Sequence, residues 1–218
     1  MSTPSGIATV RRAKPNLRVI IAWVAAVVLL AAMALSTKVV RTDSAAGVVP
    51  GTFSEATFGT ATFPKVQSLI DHRAVSAATL ASAIAKNQAA AAKQYGVDTT
   101  AGPEFSVKFS GVVGKGDSGN YDVKVDGVPK SVVIAVQTGP AILGTDLRDA
   151  TGTISFGQFT NQIEYQNAGS ALNKEMKKEI LTKVDTSNLK GKTISVVGAF
   201  QLTDPKSWLV TPVKLNVR

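Results

Sequence analysis

The chain has no cysteine among its 218 residues. That absence excludes disulfides, thiol nucleophiles and thiolate metal sites. Histidine is nearly as scarce. His72 stands alone, so a zinc centre, which needs three or four nitrogen, sulfur or carboxylate ligands, has one imidazole to draw on. Lying between Asp71 and Arg73 in a helical pattern, His72 is expected on an exposed helix face. Aromatic residues make up 6% of the chain, which argues against a base-stacking groove for single-stranded nucleic acid. Acidic residues are missing from residues 1–41, where Arg11, Arg12, Lys14, Arg18, Lys38 and Arg41 give a charge of +6. The other 177 residues hold 18 basic and 15 acidic side chains, a net +3 out of the total +9. The basic excess therefore belongs mainly to the N-terminus, and no nucleic-acid partner is expected. Finally, there is no G-x-S-x-G, H-E-x-x-H or P-loop. No catalytic residue, metal site or cofactor is assigned, and the chain is not expected to be an enzyme.

What is present begins with Val19–Leu35, VIIAWVAAVVLLAAMAL, which carries no charge. With Ser36-Thr37 it reaches the roughly 20 residues of a spanning helix, and only a helix satisfies its own backbone groups in lipid. Four basic residues precede it and two follow it, so the positive-inside rule keeps the N-terminus cytoplasmic and the bulk of the chain periplasmic. A cleavable signal peptide is the rival, because Ala32-Met33-Ala34 is an A-x-A site. The length of the run favours a retained signal anchor. Arg11-Arg12 lacks the context of a twin-arginine signal. The expected layout is a basic tail (1–18), a transmembrane helix (19–37), a linker (38–52), a helical subdomain (53–101) and a β-rich domain (102–218). The Gly- and Pro-punctuated linker would lift the rest off the bilayer.

From Pro64 to Tyr95 the apolar residues Val66, Ile70, Ala77, Leu80 and Ile84 recur at helical spacing, with Pro64 suited to a first turn and Gly96 to a stop. After Gly102-Pro103 the period changes to two. Phe105, Val107 and Phe109 alternate with polar residues, as do Tyr121, Val123 and Val125, and GKGDSGN between them is hairpin chemistry. Its literal G-x-G-x-x-G match is followed by a strand and not a helix, so it is not a dinucleotide site. Asp117, Asp122 and Asp126 fit no calcium loop, and Asp122 and Asp126 read as a solvated strand face. Val132–Val136 predicts a strand covered on both faces. Ser155-x-x-Gln158 predicts a capping box opening a helix, with a break near Gly169 and a second helix carrying Leu172, Met176 and Ile180. Two strands close the chain. One carries Ile194, Val196, Phe200 and Leu202; the other carries Leu209, Val213, Leu215 and Val217, with Pro212 demanding an edge. Three strands, a helical insert and two strands is the order of an OB-fold, a five-stranded, partly open barrel. The fold class expected is thus α+β: an OB-like barrel with a helical insert between strands 3 and 4, preceded by a small helical subdomain and one transmembrane helix. An immunoglobulin-like sandwich would need about seven strands and no long helix.

The densest run of specific polar groups is Gln137–Asn173. Arg148 offers a planar fork of donors, Asp149 and Glu164 accept, and Asn161, Gln162 and Asn173 do both. Those six side chains are the candidate ligand set, suited to a sugar or a carboxylate. Their structural alternative is a joint that ties turns to the barrel mouth. The same stretch carries Gly139-Pro140, Gly144-Thr145, Leu147-Arg148-Asp149, Phe156, Phe159-Thr160-Asn161-Gln162-Ile163-Glu164 and Ala171-Leu172-Asn173. In these motifs the chain resembles a bacterial family of predicted periplasmic lipoproteins, domain of unknown function 2291. The resemblance covers most of the chain after residue 53. It implies the same fold and a place outside the cytoplasm. Because the family's members tend to be encoded beside sugar ABC transporters, it also implies an accessory role in carbohydrate uptake, with transporter components as partners. It transfers no functional residue, and without a lipobox cysteine it transfers no lipid anchor; a retained helix would do the same tethering. The function expected is a membrane-tethered extracytoplasmic binding or accessory module. The alternative is a structural or assembly protein of the cell envelope, acting through protein contacts of residues 64–95.

Overall fold

The computed structural model describes residues 17–36 and 53–218, and the chain divides into two compact units between Thr52 and Phe53. In the first unit, α1 (Leu17–Ser36) is helical across the expected apolar run, which contains neither Gly nor Pro and is rich in Ala and Leu. Among the described residues no helix is long and apolar enough to cross a membrane. In α1 the described side chains are Ile21, Trp23–Leu30 and Met33, all exposed. The expected linker (38–52) and all but the end of the basic tail lie outside the described residues.

The second unit, Phe53–Arg218, opens with α2 (Glu55–Arg73), β1 (Val75–Ser76), α3 (Ala77–Lys86), α4 (Gln88–Tyr95) and β2 (Gly96–Val97). The expected helical stretch therefore starts nine residues before Pro64 and is broken twice. Ser54 begins it: its Oγ accepts from the Thr57 N–H at 3.4 Å. Pro64 lies exposed inside α2 rather than in its first turn. Ser76 and Asn87 interrupt the run because each side chain accepts an N–H of the helix that follows, Thr79 at 3.2 Å and Ala90 at 2.9 Å. The apolar face is as expected, with Val66, Ile70, Ala77, Leu80 and Ile84 all buried.

Five longer strands follow: β3 (Glu104–Asp117), β4 (Asn120–Val125), β5 (Val133–Gln137), β6 (Thr193–Gln201) and β7 (Ser207–Val217). Ser118 and Gly119, at φ 52° and 83°, make the two-residue turn between β3 and β4. Pairing runs β3–β4–β5 antiparallel, β5–β7 parallel, β7–β6 antiparallel, and β6 returns antiparallel to β3. The ladder thus ends on the strand that began it. β1 and β2 add short pairings to the first half of β3. Between β5 and β6 lie α5 (Asp146–Asp149), a 3₁₀ turn at Phe156–Gln158 and α6 (Gln162–Glu179), the helical insert the sequence predicts between the third and fourth long strands.

Three local expectations are corrected. The helix does not open at Ser155, which makes no side-chain cap. The box forms six residues later, where Asn161 Oδ1 accepts the Glu164 N–H and Glu164 Oε2 accepts the Thr160 N–H, both at 2.9 Å. Nor does Gly169 break a helix; α6 runs straight through it. A Cβ there would lie 2.7 Å from Thr145 Cγ2, so the glycine lets α6 approach the start of α5. Gly59 of α2 does the same on α6, since its Cβ would meet the Ala171 carbonyl oxygen at 2.8 Å. Last, β5 is covered on one face only, with Val133 47% exposed and Ile134 and Val136 buried. Pro212 sits where the β6–β7 register slips, Gly198 facing Pro212 after Val197 faces Lys214. The slip changes the phase of β7. Trp208 and Val210 are buried before it and Val213 and Leu215 after it, leaving Leu209 exposed.

One apolar core joins these elements. Phe105, Phe200 and Trp208 stack in sequence, with ring centroids 5.7 and 4.8 Å apart, and Leu80, Ile134, Leu147, Leu172 and Met176 close around the same cluster. Each fully buried side chain of this size contributes about 1.5–3 kcal/mol.

Candidate functional site

Gln137 leaves β5 fully buried and acts as the hinge pin of the polar stretch. Its Nε2 donates to the Leu143 carbonyl at 3.1 Å and to Thr211 Oγ1 at 2.8 Å, while its Oε1 accepts the Leu143 N–H at 2.9 Å. Thr211 in turn donates to Asp146 Oδ2 at 2.6 Å. The loop 138–145 is thus held to both neighbouring strands before α5 begins. One turn on, Thr145 Oγ1 donates to Asp149 Oδ2 at 2.5 Å.

Arg148 is 6% exposed and its fork is engaged within the domain. Nε and Nη2 bind the two oxygens of Asp149 at 2.7 and 2.9 Å, and Nη1 donates to the Tyr165 carbonyl at 2.8 Å. The guanidinium carbon lies 3.6 Å from the centre of the Tyr165 ring, close enough for a cation–π contact. Tyr165 Oη reaches Asp149 Oδ1 at 3.4 Å. Burial first, and then the Asp149 charge, raise the Tyr165 phenol above its usual value. Arg148 and Asp149 thus clamp α5 onto the first turn of α6.

The other four candidates are spread along α6. Asn161 and Glu164 form its N-terminal box, as above. Gln162 is exposed in its first turn. Asn173, three turns on, is 7% exposed; its Nδ2 donates to the Gly144 carbonyl at 2.9 Å, and its Oδ1 has no partner. The structure therefore brings Arg148 and Asp149 together and sets Asn161, Gln162, Glu164 and Asn173 apart from them. Five surface cavities of about 320–630 Å³ are lined by other residues. One, of about 530 Å³, is reached by the start of the stretch: Thr138, Gly139 and Pro140 face Tyr121, Lys177 and Thr182 across it.

Sequence reasoning missed the acidic half of this centre. Glu104, first residue of β3, is 2% exposed, and its Oε2 has no hydrogen-bond partner. Burial, then the charges of Asp146 and Asp149, push its carboxyl up to about 9 against the partial relief of Arg148. Burial likewise lifts Asp146 to about 6, partly offset by the Thr211 hydrogen bond. Glu104 is therefore protonated at neutral pH. The signal that could have found it is its place beside Phe105 at the start of a strand covered on both faces, where Glu104, Phe105, Ser106 and Val107 are all buried. Among the described residues no group of three or more His, Cys, Asp or Glu is placed to hold a metal ion.

A cyclic five-strand ladder with a helical insert, locked by a buried arginine–carboxylate joint, defines a mixed α+β module of the OB type with a helical subdomain. A crystal structure of an OB-fold protein from Thermotoga maritima MSB8 matches it with a TM-score of 0.62 at 16% identity, covering 77% of this chain and 99% of that one; the likeness is one of fold. The chain belongs to the predicted periplasmic lipoprotein family, domain of unknown function 2291, which it matches over residues 24–216. The family's description is of periplasmic proteins, in agreement with the extracytoplasmic location expected from the sequence. No curated protein matches the chain.

Proposed function

We propose that the protein is a membrane-tethered, extracytoplasmic binding or accessory module in which α1 replaces the lipid of its relatives. The observation that carries this reading is membership of a periplasmic lipoprotein family in a chain with no cysteine to lipidate. An uncharged helical run stands at its N-terminal end. In this reading α1 spans the cytoplasmic membrane once, with the N-terminus inside, and the cyclic ladder is a closed OB barrel. The six polar candidates then divide by role. Arg148, Asp149 and Asn173 tie parts of the insert to one another, Asn161 and Glu164 cap α6, and Gln162, exposed in the first turn of α6, is left to meet a partner.

The partner proposed is a carbohydrate ABC uptake system, on the strength of the gene neighbourhood that the family resemblance implies. Crosslinking in intact cells followed by purification of the full chain tests it. Recovery of a sugar-binding protein or permease subunit is the expected outcome. Recovery of an envelope-assembly protein with no transporter component would overturn it in favour of the structural alternative.

A further inference from the structure

Five of the chain's thirteen aromatic residues meet at one end of the domain. Phe53 and Phe58 from the start of α2 and Phe159 from before α6 form a triangle with centroids 5.3, 5.6 and 5.8 Å apart. Phe159 continues to Tyr165 at 5.5 Å, and Tyr165 to Phe156 at 5.8 Å. Inside, the cluster rests on Arg148 through the Tyr165 ring. Outside, it is uncovered: Phe156 is 49% exposed, and Ile163 in the first turn of α6 is 69% exposed.

Two further features decide what covers this end. The stretch Ala150–Ile163 carries no charged side chain, so its surface leaves water without stranding a charge. Nearby carboxylates are occupied, Glu55 with Lys174 at 2.6 Å and Glu164 with the Thr160 N–H. In addition, Phe53 is the first residue of the domain, and only residues 37–52 separate it from the end of α1. The residue at which the chain joins the domain is therefore itself a member of the aromatic cluster. Aromatic rings beside uncharged amides and hydroxyls are the composition that settles at the boundary of headgroups and acyl chains.

We propose that this end of the domain, Phe156 and Ile163 foremost, lies on the surface of the bilayer that holds α1. The inference rests on the reading of α1 as an anchor, and the test separates the two. The full chain is reconstituted in bilayers containing lipids brominated near the headgroup or near the chain end, and tryptophan emission is read. Trp23 lies in α1 and reports on the anchor. Trp208, 1% exposed in the core, serves as the reference that lipid does not reach. F156W and I163W, each in a Trp23→Phe background, report on the surface. The expected result is loss of Trp23 emission together with loss of F156W or I163W emission, stronger with the shallow bromines than with the deep ones. Quenching of Trp23 with both surface reporters as unaffected as Trp208 would overturn the inference while leaving the anchor intact, and would assign the patch to a protein partner. No quenching of Trp23 would remove the anchor, and this inference with it.

Discussion

Arg148 is bound to its own chain neighbour, to a carbonyl of α6 and to a ring face, so each nitrogen of the guanidinium is engaged within the domain. Removing it leaves the Asp149 carboxylate buried without its cation. Arg148→Ala is expected to cost about 3–5 kcal/mol in chemical denaturation, and Arg148→Lys a large part of that, because an ammonium cannot reproduce the fork. Asn161→Ala removes only a cap, at about 1 kcal/mol. Glu104 makes a prediction of opposite character. Its carboxyl is raised by burial to about 9, so the folded state holds a proton that the unfolded chain releases above about pH 4.5. Stability is therefore fully present below pH 4.5 and is lost as pH rises through 9, by roughly 3 kcal/mol already at pH 7. Asp146, raised to about 6, contributes a similar loss that is complete soon above pH 6. Melting measured from pH 6.5 to 8.5 should thus fall steadily in the native chain and stay nearly flat in Glu104→Gln; equal slopes would refute the buried-proton account. The polar groups of 137–173 were legible as residues but not as a network. Thr211 on β7, which links Gln137 to Asp146, and Glu104 on β3, whose carboxyl feels the Asp146 and Asp149 charges, lie far away in sequence, and only the pairing of the strands brings them to the insert.

At the scale of elements, the insert is positioned by how closely its helices approach their neighbours. Gly169 lets Thr145 sit against α6, and Gly59 lets α2 sit against the same helix two residues further on, at Ala171. Gly169→Ala gains up to about 1 kcal/mol of helix propensity but forces a methyl into Thr145, which costs about 1–3 kcal/mol. The balance is expected to be destabilising by thermal melting, and the double variant Gly169→Ala, Thr145→Ser should recover part of the loss by removing the methyl it strikes. A glycine in mid-helix reads as a break when only local propensity is in view, which is why one helix looked like two. The same limit explains α2–α4, where Ser76 and Asn87 cap helices inside a stretch whose apolar spacing looks continuous. The strands were more readable. Alternation in β4 and the Ser118-Gly119 turn are local, whereas the phase change in β7 depends on the slip opposite Gly198, which no period of two anticipates.

For the whole molecule, element order carried the fold. Three strands, a helical insert and two strands lead to the OB-type ladder, and the likeness to a solved OB-fold structure agrees. The short β1 and β2 pairings escaped the reading because two residues show no period. Of function, only the place outside the cytoplasm was legible, since recognition in such a domain depends on surfaces that composition does not mark. The central claim is that α1 tethers an extracytoplasmic domain. Cell-surface proteolysis of protoplasts or spheroplasts, followed by alkaline extraction of the membranes, tests it most directly. The account predicts that the untreated chain stays with the membrane after extraction, and that external protease removes the 53–218 domain while cytoplasmic markers survive. Release of the intact chain by alkali, or survival of the domain until the cells are lysed, would contradict it.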